Sequence, residues 1–208
     1  MQYALVAGGS KGIGYAIAVA LAKRNYNLIL IGRQMDSLIT AKNSLESSYK
    51  IKVTIMEKDL SLPGSAEAIA AWCQQDQLPL SMLCNVASMA GFAPIPEKNI
   101  YSATKAAVIF FSYSLRYQLK TKNISVSCLC PGPVFTKPEI MEDTIEKLGW
   151  FGKLMAVNPI KVGEVAVRKT LKNKMIIVPG VVSTLISIFL RSLPRRAITS
   201  IYFVMGQK

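Results

Sequence analysis

Short apolar runs alternate with segments of helical periodicity along this chain, and the alternation constrains the fold more than any other feature. The run NLILI at 27–31 is typical of a strand buried on both faces. Buried strands joined by helices form parallel sheets that are covered on both sides. We therefore predict an α/β fold with a doubly wound parallel sheet, in one domain spanning residues 1–208.

The same patterns give the bounds of the predicted elements. Strands are expected at 3–7, 27–31, 52–56, 80–85, 124–130 and 175–178. Helices are expected after the first strand and at 35–49, 63–74, 101–120, 139–147, 163–171 and 181–190. Residues 139–172 are interpreted as a substrate-covering insertion, and 181–208 as a C-terminal helical tail.

The charge balance raises nucleic acid as a partner, because 25 basic and 12 acidic side chains give a formal charge of +13. The basic residues are scattered, however, with one cluster at Arg191, Arg195 and Arg196. No aromatic residues are interleaved with them to stack on bases. We therefore expect no nucleic acid, and an anionic small molecule or a membrane surface suits the charge better.

Four cysteines and no histidine give no zinc-ligand pattern, so no metal is expected. The thiols are typical of small buried groups in a reducing compartment. The N-terminus runs directly into a strand-like stretch at 2–7, without the basic flank, longer apolar stretch and cleavage site of a signal peptide. The expected location is the cytoplasm. The sequence does not determine whether the chain forms a homo-oligomer.

A glycine-rich turn with the spacing GxxxGxG lies between the first strand and the first helix. A pyrophosphate requires a tight turn, close backbone approach and a helix N-terminus whose free N–H groups favour negative charge. An ordinary glycine-rich connection is the alternative, but the strand, turn and helix context favours a dinucleotide. The predicted contacts come from Gly8, Ser10, Lys11, Gly12, Ile13 and Gly14.

The end of the second strand indicates which dinucleotide binds. An acidic residue there would accept hydrogen bonds from the adenosine ribose, but the strand ends in Gly32 and Arg33. Arg33, with Lys11 from the glycine turn, is suited to a 2′-phosphate, because a guanidinium makes paired bonds to phosphate oxygens. NADP(H) is therefore expected in preference to NAD(H). The alternative is that both are ordinary surface cations.

Tyr101 and Lys105 are four residues apart, which places them on one face of the predicted helix. Tyrosine ordinarily titrates near pH ~10, so it needs a neighbouring cation to exchange a proton near neutrality. Lys105 can be that cation. A surface pair without chemistry has the same spacing.

These features resemble the short-chain dehydrogenase/reductase family when they are taken with Ser88, Asp59 and the PGPV segment that begins at Pro131. The resemblance covers nearly the whole chain. It implies a Rossmann-type enzyme that transfers hydride between a nicotinamide and a carbonyl or alcohol. By this mapping Tyr101 is the general acid or base, Lys105 assists it and holds the nicotinamide ribose, and Ser88 orients the substrate oxygen. Further cofactor contacts are implied for Asp59, Leu60, Asn85, Pro131, Gly132, Val134 and Thr136.

The resemblance also shows a gap between Asp59 and Ser88. The family needs two helices and two strands there, which takes at least roughly 32 residues before any loops. Only 28 residues, 60–87, are present, and 85–87 fits both the fourth and the fifth strand of the family. We infer an internal deletion that leaves the sheet one central strand and helix short; otherwise the sequence omits residues that the protein contains. Intact mass against 22.8 kDa separates the two cases.

The C-terminal tail has two apolar runs separated by arginines, and each is shorter than the roughly 20 residues of a spanning helix. The simpler interpretation is a last strand followed by a helix over the substrate pocket; an interfacial helix on a membrane is the alternative. The leading functional expectation is an NADP(H)-dependent oxidoreductase that interconverts a small apolar ketone and secondary alcohol. A catalytically impaired dinucleotide-binding protein and a membrane-surface protein are the alternatives.

Overall fold

The computed structural model describes residues 2–76, 82–96, 98–136 and 156–206. The chain forms two compact units. Unit 1 comprises Met1–Ser81 with Pro159–Val167, and unit 2 comprises Met82–Asn158 with Arg168–Lys208. Their assembly into the single expected domain stays a prediction.

Unit 1 is a three-stranded parallel sheet in the order β1-β2-β3, with a helix after each strand. The strands are β1 Tyr3–Ala7, β2 Asn27–Gly32 and β3 Val53–Glu57, and the helices are α1 Gly12–Ala22, α2 Met35–Ser48 and α3 Ser65–Gln75. Leu28 to Ile31 of β2 are fully buried, as the uninterrupted apolar run predicts.

The core of unit 1 is closed by a later segment of the chain. Helix α5, Pro159–Leu171, begins in this unit, and Val167 belongs to the same apolar cluster as Leu28 and Leu30. A Cβ atom on Gly163 would lie 2.3 Å from the Ala16 carbonyl oxygen, so glycine allows α5 to approach the α1 backbone.

Unit 2 is a second three-stranded parallel sheet, in the order β4-β5-β6. Its strands are β4 Met82–Val86, β5 Ser125–Leu129 and β6 Ile176–Ile177, and its helices are α4 Asn99–Gln118, α6 Val181–Ser192 and α7 Arg195–Gly206, with the end of α5. Arg116 of α4 donates hydrogen bonds to the carbonyls of Val126, at 2.6 Å, and Asn173, at 3.0 Å. One guanidinium therefore ties α4 to β5 and to the turn before β6.

The parallel strands and intervening helices confirm the predicted α/β class. Between Asp59 and Ser88 the described residues contain one helix and one strand, α3 and β4, as the gap in the sequence indicates. The helix expected at 163–171 begins earlier, at Pro159, and the last strand is shorter than expected. The helix expected at 139–147 and most of the insertion 139–172 lie outside the described residues.

All four cysteines are free thiols; Cys73, Cys128 and Cys130 are buried, and Cys84 is half-buried. Within the described ranges, no helix combines the length and apolar character needed to cross a bilayer.

Candidate functional site

The glycine turn in unit 1 is a tight loop held against the end of β2. The Gly8 N–H donates a 2.7 Å hydrogen bond to the Ile31 carbonyl. Gly8 and Gly12 have φ of +68° and +58°, a region that side chains disfavour. A Cβ atom on Gly14 would lie 2.2 Å from the Gly8 carbonyl oxygen, so only glycine permits this approach. The sequence therefore places its glycines where the backbone geometry requires them.

Helix α1 begins at Gly12, directly after this turn. Lys11 at the N-cap makes no side-chain capping hydrogen bond, and the first turn carries no acidic residue. The free N–H groups and the positive end of the helix dipole therefore suit an anion. Lys11 is exposed, and Ile13 lies half-buried in the first helical turn.

The connection from β2 to α2 lies beside the glycine turn. The Lys11 ammonium donates to the Gln34 side chain at 3.4 Å. A cavity of about 430 Å³ is lined by Ser10, Lys11 and Tyr15 together with Asp36 and other residues of α2. A second cavity of about 390 Å³ is lined by Arg33, Gln34, Met35, Asp36, Ser37 and Glu57. Lys11 and Ser10 therefore border one cavity and Arg33 borders a neighbouring one.

Glu57 is a residue that the sequence reasoning missed. It ends β3 and pairs in register with Gly32 at the end of β2. Its carboxylate accepts a 3.1 Å hydrogen bond from the Met35 N–H at the start of α2. An acidic residue is absent from the end of β2 but present at the end of the adjacent strand, β3. The signal for Glu57 in the sequence was its position at the end of a parallel strand.

Asp59 follows β3 and fixes the loop that leads to α3. Its carboxylate accepts hydrogen bonds from the Ser61 N–H, at 2.9 Å, and the Ser61 hydroxyl, at 2.8 Å. These bonds, and to a lesser degree the charge of Arg33, hold the pKa of Asp59 below its ordinary value. Leu60 is about half exposed. Arg33 and Asp59 are therefore close enough to interact at the same end of the sheet.

Tyr101 and Lys105 lie together on α4 in unit 2. The Lys105 ammonium nitrogen is 5.6 Å from the centroid of the Tyr101 ring and 3.5 Å from the carbonyl oxygen of Val86. Val86 is the last residue of β4, so the pair stands at the carboxyl end of that strand. Tyr101 is 48% exposed and accessible to a ligand.

Ser88 begins a short 3₁₀ turn, Met89–Phe92, two residues after β4. The flanking N–H groups bind β5 and the segment after it, because Ala87 donates to Leu129 at 2.8 Å and Met89 donates to Pro131 at 3.0 Å. The Ser88 hydroxyl oxygen accepts a 3.2 Å bond from the Ala90 N–H. These contacts fix the backbone on both sides of Ser88.

Gly91 joins this turn to α4, and the sequence reasoning missed it. A Cβ atom there would lie 2.8 Å from the carbonyl carbon and oxygen of Lys105 and 2.7 Å from Ile109 Cδ1. The turn that starts at Ser88 therefore rests on the backbone of the helix that carries Tyr101 and Lys105. The signal for this contact in the sequence was an isolated glycine between Ser88 and the Tyr101–Lys105 pair.

Asn85 makes a structural contact inside unit 2. Its amide nitrogen donates a 2.9 Å hydrogen bond to the hydroxyl of Ser112, which is fully buried in α4 and donates at 2.7 Å to the Val108 carbonyl. The interaction ties β4 to α4. The expected contact between Asn85 and a cofactor stays a prediction.

The segment after β5 carries the remaining predicted cofactor contacts of unit 2. Val134 is buried and pairs with Val157 in an isolated parallel bridge. Thr136 donates its N–H to the Val134 carbonyl at 2.9 Å, and Gly132 is half-buried. The segment leaves the carboxyl end of β5, where ligands bind in parallel α/β sheets.

The predicted site residues thus form two groups. Unit 1 brings together the glycine turn, Arg33, Asp59 and Leu60, while unit 2 brings Tyr101 and Lys105 together and seats the Ser88 turn on their helix. A parallel α/β fold with such a glycine turn is typical of dinucleotide-binding proteins.

The family follows from comparison with known proteins. The short chain dehydrogenase family model matches residues 2–88 and 81–144, which is more than half of the chain. The chain belongs to the short-chain dehydrogenase/reductase family.

Individual relatives are distant. The mouse very-long-chain 3-oxoacyl-CoA reductase is 27% identical over 199 residues, covering 70% of this chain and 64% of its own length. A 7β-hydroxysteroid dehydrogenase structure superposes with a TM-score of 0.80 at 16% identity, covering 97% of this chain and 96% of that one. The L-sorbose reductase of Gluconobacter frateurii, in complex with NADPH and L-sorbose, gives 0.74 at 20% identity, covering 86% and 95%. The chain thus spans less than two thirds of the mouse relative, and the structural likeness shows the Rossmann-type fold.

The comparisons also bear on the gap before Ser88. Residues 81–88 are matched in both segments of the family model, which is the stretch that fits two strands of the family. The mouse alignment spans 199 positions, but it includes only 70% of this 208-residue chain, which is far fewer than 199 residues. The mouse protein therefore has residues inside the aligned region that this chain lacks.

Proposed function

We propose that this protein is an NADP(H)-dependent oxidoreductase that interconverts a ketone and a secondary alcohol on an apolar substrate. The observation that carries the proposal is the Tyr101–Lys105 pair, with the ammonium 5.6 Å from the ring centroid. The pair stands beside the turn that begins at Ser88. Family membership supports the reaction class.

NADP(H) supplies or accepts the hydride at the carbonyl carbon when it is bound. In the reductive direction the Tyr101 hydroxyl donates a proton to the substrate oxygen as that oxygen gains negative charge. The positive charge of Lys105 stabilises the tyrosinate that remains. The Ser88 hydroxyl donates a hydrogen bond to the same substrate oxygen and keeps it directed at Tyr101.

The preference for NADP(H) over NAD(H) rests on Arg33 and Lys11. Both are exposed cations beside the glycine turn, and the Lys11–Gln34 contact keeps Lys11 close to the β2–α2 connection. Glu57 acts in the opposite sense, because a carboxylate would repel a 2′-phosphate and could accept from a ribose hydroxyl. Since the Glu57 carboxylate is engaged by the Met35 N–H, we assign the larger effect to Arg33. The NADPH complex of L-sorbose reductase supports this choice.

An apolar substrate is supported by the names of two relatives, the very-long-chain 3-oxoacyl-CoA reductase and the 7β-hydroxysteroid dehydrogenase, whereas L-sorbose reductase acts on a polar sugar. These relatives are less than 30% identical to this chain, so the individual substrate is to be identified with a panel of ketones. Aliphatic 3-oxoacyl thioesters and steroid ketones are the first two classes to assay.

A catalytically impaired dinucleotide-binding protein is the second candidate. It is favoured by the short stretch between Asp59 and Ser88, in which the described residues contain one helix and one strand. Loss of a neighbouring strand and helix would alter the packing behind Ser88, and small displacements at a catalytic centre are costly. Binding without turnover is the signature of this candidate.

Two measurements on the full chain test the proposal. Wild type should bind NADPH and reduce at least one ketone of the panel, while Tyr101→Phe should bind NADPH equally and lose turnover about 100-fold or more. NADPH binding without turnover identifies the second candidate, and absence of binding rejects both.

The cofactor preference has its own test. Arg33→Asp should lower the ratio of NADPH to NADH affinity at least roughly tenfold, because it replaces a phosphate-binding cation with an acid. Glu57→Gln is the matched control on the adjacent strand, and it should leave the ratio unchanged or raise it. An unchanged ratio in Arg33→Asp removes Arg33 from this role.

A further inference from the structure

Helix α6, Val181–Ser192, is oriented with its large apolar side chains toward solvent. Val181 is 79% exposed and Leu185 is 63% exposed, and Ile188 and Phe189 of the same helix are also exposed. The inward positions include two serines that are almost completely buried, Ser183 and Ser187. A surface helix of a globular protein normally has the reverse arrangement.

Two hydroxyl groups of this helix, those of Ser187 and Thr184, donate to nearby backbone carbonyls. Ser187 donates a 2.7 Å hydrogen bond to the Thr184 carbonyl, and Thr184 donates at 2.6 Å to the Gly180 carbonyl. Small side chains bonded to their own helix allow close packing against the unit 2 core, where Leu190 is buried. The outward apolar face is therefore part of a packed helix.

Helix α7, Arg195–Gly206, follows the end of α6 after two intervening residues and also exposes large apolar side chains. Ile198 is fully buried and anchors the helix, and burial raises the pKa of the Tyr202 phenol. Ile201, Phe203 and Val204 are each about half exposed. Both helices consequently present large apolar side chains outside the unit 2 core, in what we call the tail surface: Val181, Leu185, Ile188, Phe189, Ile201, Phe203 and Val204.

Two arginines fix these helices to unit 2. The Arg195 guanidinium donates to the carbonyl of Phe92, and the Arg191 guanidinium lies 5.7 Å from the centroid of the Phe92 ring. Phe92 ends the short turn that follows Ser88. The tail surface is thus held on the same unit as Tyr101 and Lys105.

The charge of the C-terminal sequence has one sign. From residue 165 to residue 208 the sequence contains eight lysines and arginines and no aspartate or glutamate. Exposed apolar side chains on helices that also carry Arg191, Arg195 and Arg196 match an anionic bilayer, into which apolar side chains insert while cations meet the headgroups. A second copy of this chain fits less well, because like-charged surfaces would meet.

We propose that α6 and α7 bind this protein to the surface of an anionic lipid bilayer, with the tail surface inserted among the headgroups and upper acyl chains. The contact is peripheral. It extends the proposed function to a catalytic chain that works at a membrane surface, but it does not depend on catalysis. Vesicle binding by a chain without turnover would therefore still support the membrane proposal.

Co-sedimentation of the full chain with vesicles tests the proposal. We expect binding to phosphatidylcholine vesicles that contain phosphatidylserine, little binding to phosphatidylcholine alone, and release by high salt. Leu185→Ser/Phe189→Ser should weaken the association at least about tenfold, because two inserted side chains lose their apolar contact. Phe110→Ser/Phe111→Ser on α4, a matched pair that is 70% and 59% exposed, should bind as wild type does.

Charge is tested separately. Arg196→Gln should weaken binding to the anionic vesicles about fivefold, as expected for one cation near the surface, whereas Lys50→Gln in unit 1 should not. Phe189→Trp adds a signal that does not depend on loss of binding: its fluorescence should shift to the blue with anionic vesicles beyond any shift of the parent chain. Far-UV circular dichroism checks that each variant is folded.

The proposal fails if wild type does not bind anionic vesicles, or binds neutral ones equally well. It also fails if the α4 pair weakens binding as much as the α6 pair. If Leu185→Ser/Phe189→Ser lowers the molar mass measured by sedimentation in the absence of vesicles but leaves vesicle binding unchanged, the tail surface binds a second copy of this chain instead.

Discussion

Replacement of Gly91 by alanine tests whether the Ser88 turn is positioned by α4. The added Cβ atom would lie 2.8 Å from the Lys105 carbonyl carbon and oxygen and 2.7 Å from Ile109 Cδ1. Ordinary contacts begin near 3.4 Å, so the turn and the helix must separate by about half an ångström. The Ile109 methyl can rotate away, whereas the Lys105 backbone belongs to a helix and cannot.

The expected cost has two parts. Overpacking of this kind costs about 1–3 kcal/mol of unfolding free energy. In a chain of this length each kcal/mol lowers Tm by about 2–4 °C. Because the displacement separates Ser88 from the Tyr101 helix, we also expect kcat to fall about tenfold or more with little change in KM.

The assay combines thermal unfolding with NADPH-dependent ketone reduction. Ile109→Val removes the flexible contact and by itself costs about 0.5–1.5 kcal/mol. In the double variant Gly91→Ala/Ile109→Val, rescue should be partial, since the clash with the Lys105 backbone remains. The reasoning is refuted if Gly91→Ala matches wild type in Tm and kcat, or if Ile109→Val restores both fully. If wild type shows no turnover, the stability result alone decides.

Three further predictions concern the rest of the fold and the site. Gly14→Ala should weaken NADPH binding at least roughly tenfold, because its Cβ atom cannot fit against the carbonyl of the glycine turn; fluorescence titration measures this. Asn85→Ala should lower the unfolding free energy by about 1–2 kcal/mol in urea, since buried Ser112 loses a partner, and an added loss of NADPH affinity would also support a cofactor contact. Partial burial opposes ionisation of Glu164, but its two cationic partners, Lys23 and Arg24, hold its pKa below the ordinary value. Ionised Glu164 therefore adds about 0.5–1 kcal/mol near neutral pH, and the advantage over Glu164→Gln should vanish as pH falls through that lowered pKa in acid unfolding.

The class of the fold could be predicted from the sequence because its signals are local. The run at 27–31 has the short, uninterrupted apolar pattern of a strand buried on both faces, and the glycine spacing after β1 matches the φ values found at Gly8 and Gly12. Helical spacing placed Tyr101 and Lys105 on one face of a helix, whereas their proposed roles came from the family resemblance. Such features depend on residues that are close in sequence, so no knowledge of packing was needed.

Features that depend on register or packing could not be predicted. Glu57 enters the site because it lies opposite Gly32 across two strands, and Gly91 matters because α4 passes over it. The orientation of α6 was missed for the same reason, since periodicity marks an apolar face but not the side on which it lies. Ser183 and Ser187 occupy the inward positions that the pattern assigns to larger residues.

The close approach of Gly163 to Ala16 has a consequence for how the chain matures on the ribosome. The N-terminal sheet of unit 1 is synthesised first, but the helical segment Pro159–Val167, which closes its core, is separated from α3 by most of unit 2. At ordinary synthesis rates the nascent sheet waits roughly 4 to 17 seconds for that segment. During that interval the alanine-lined side of α1 and the neighbouring core are open to chaperones, and a ribosome stalled in unit 2 would leave an N-terminal product that cannot finish folding.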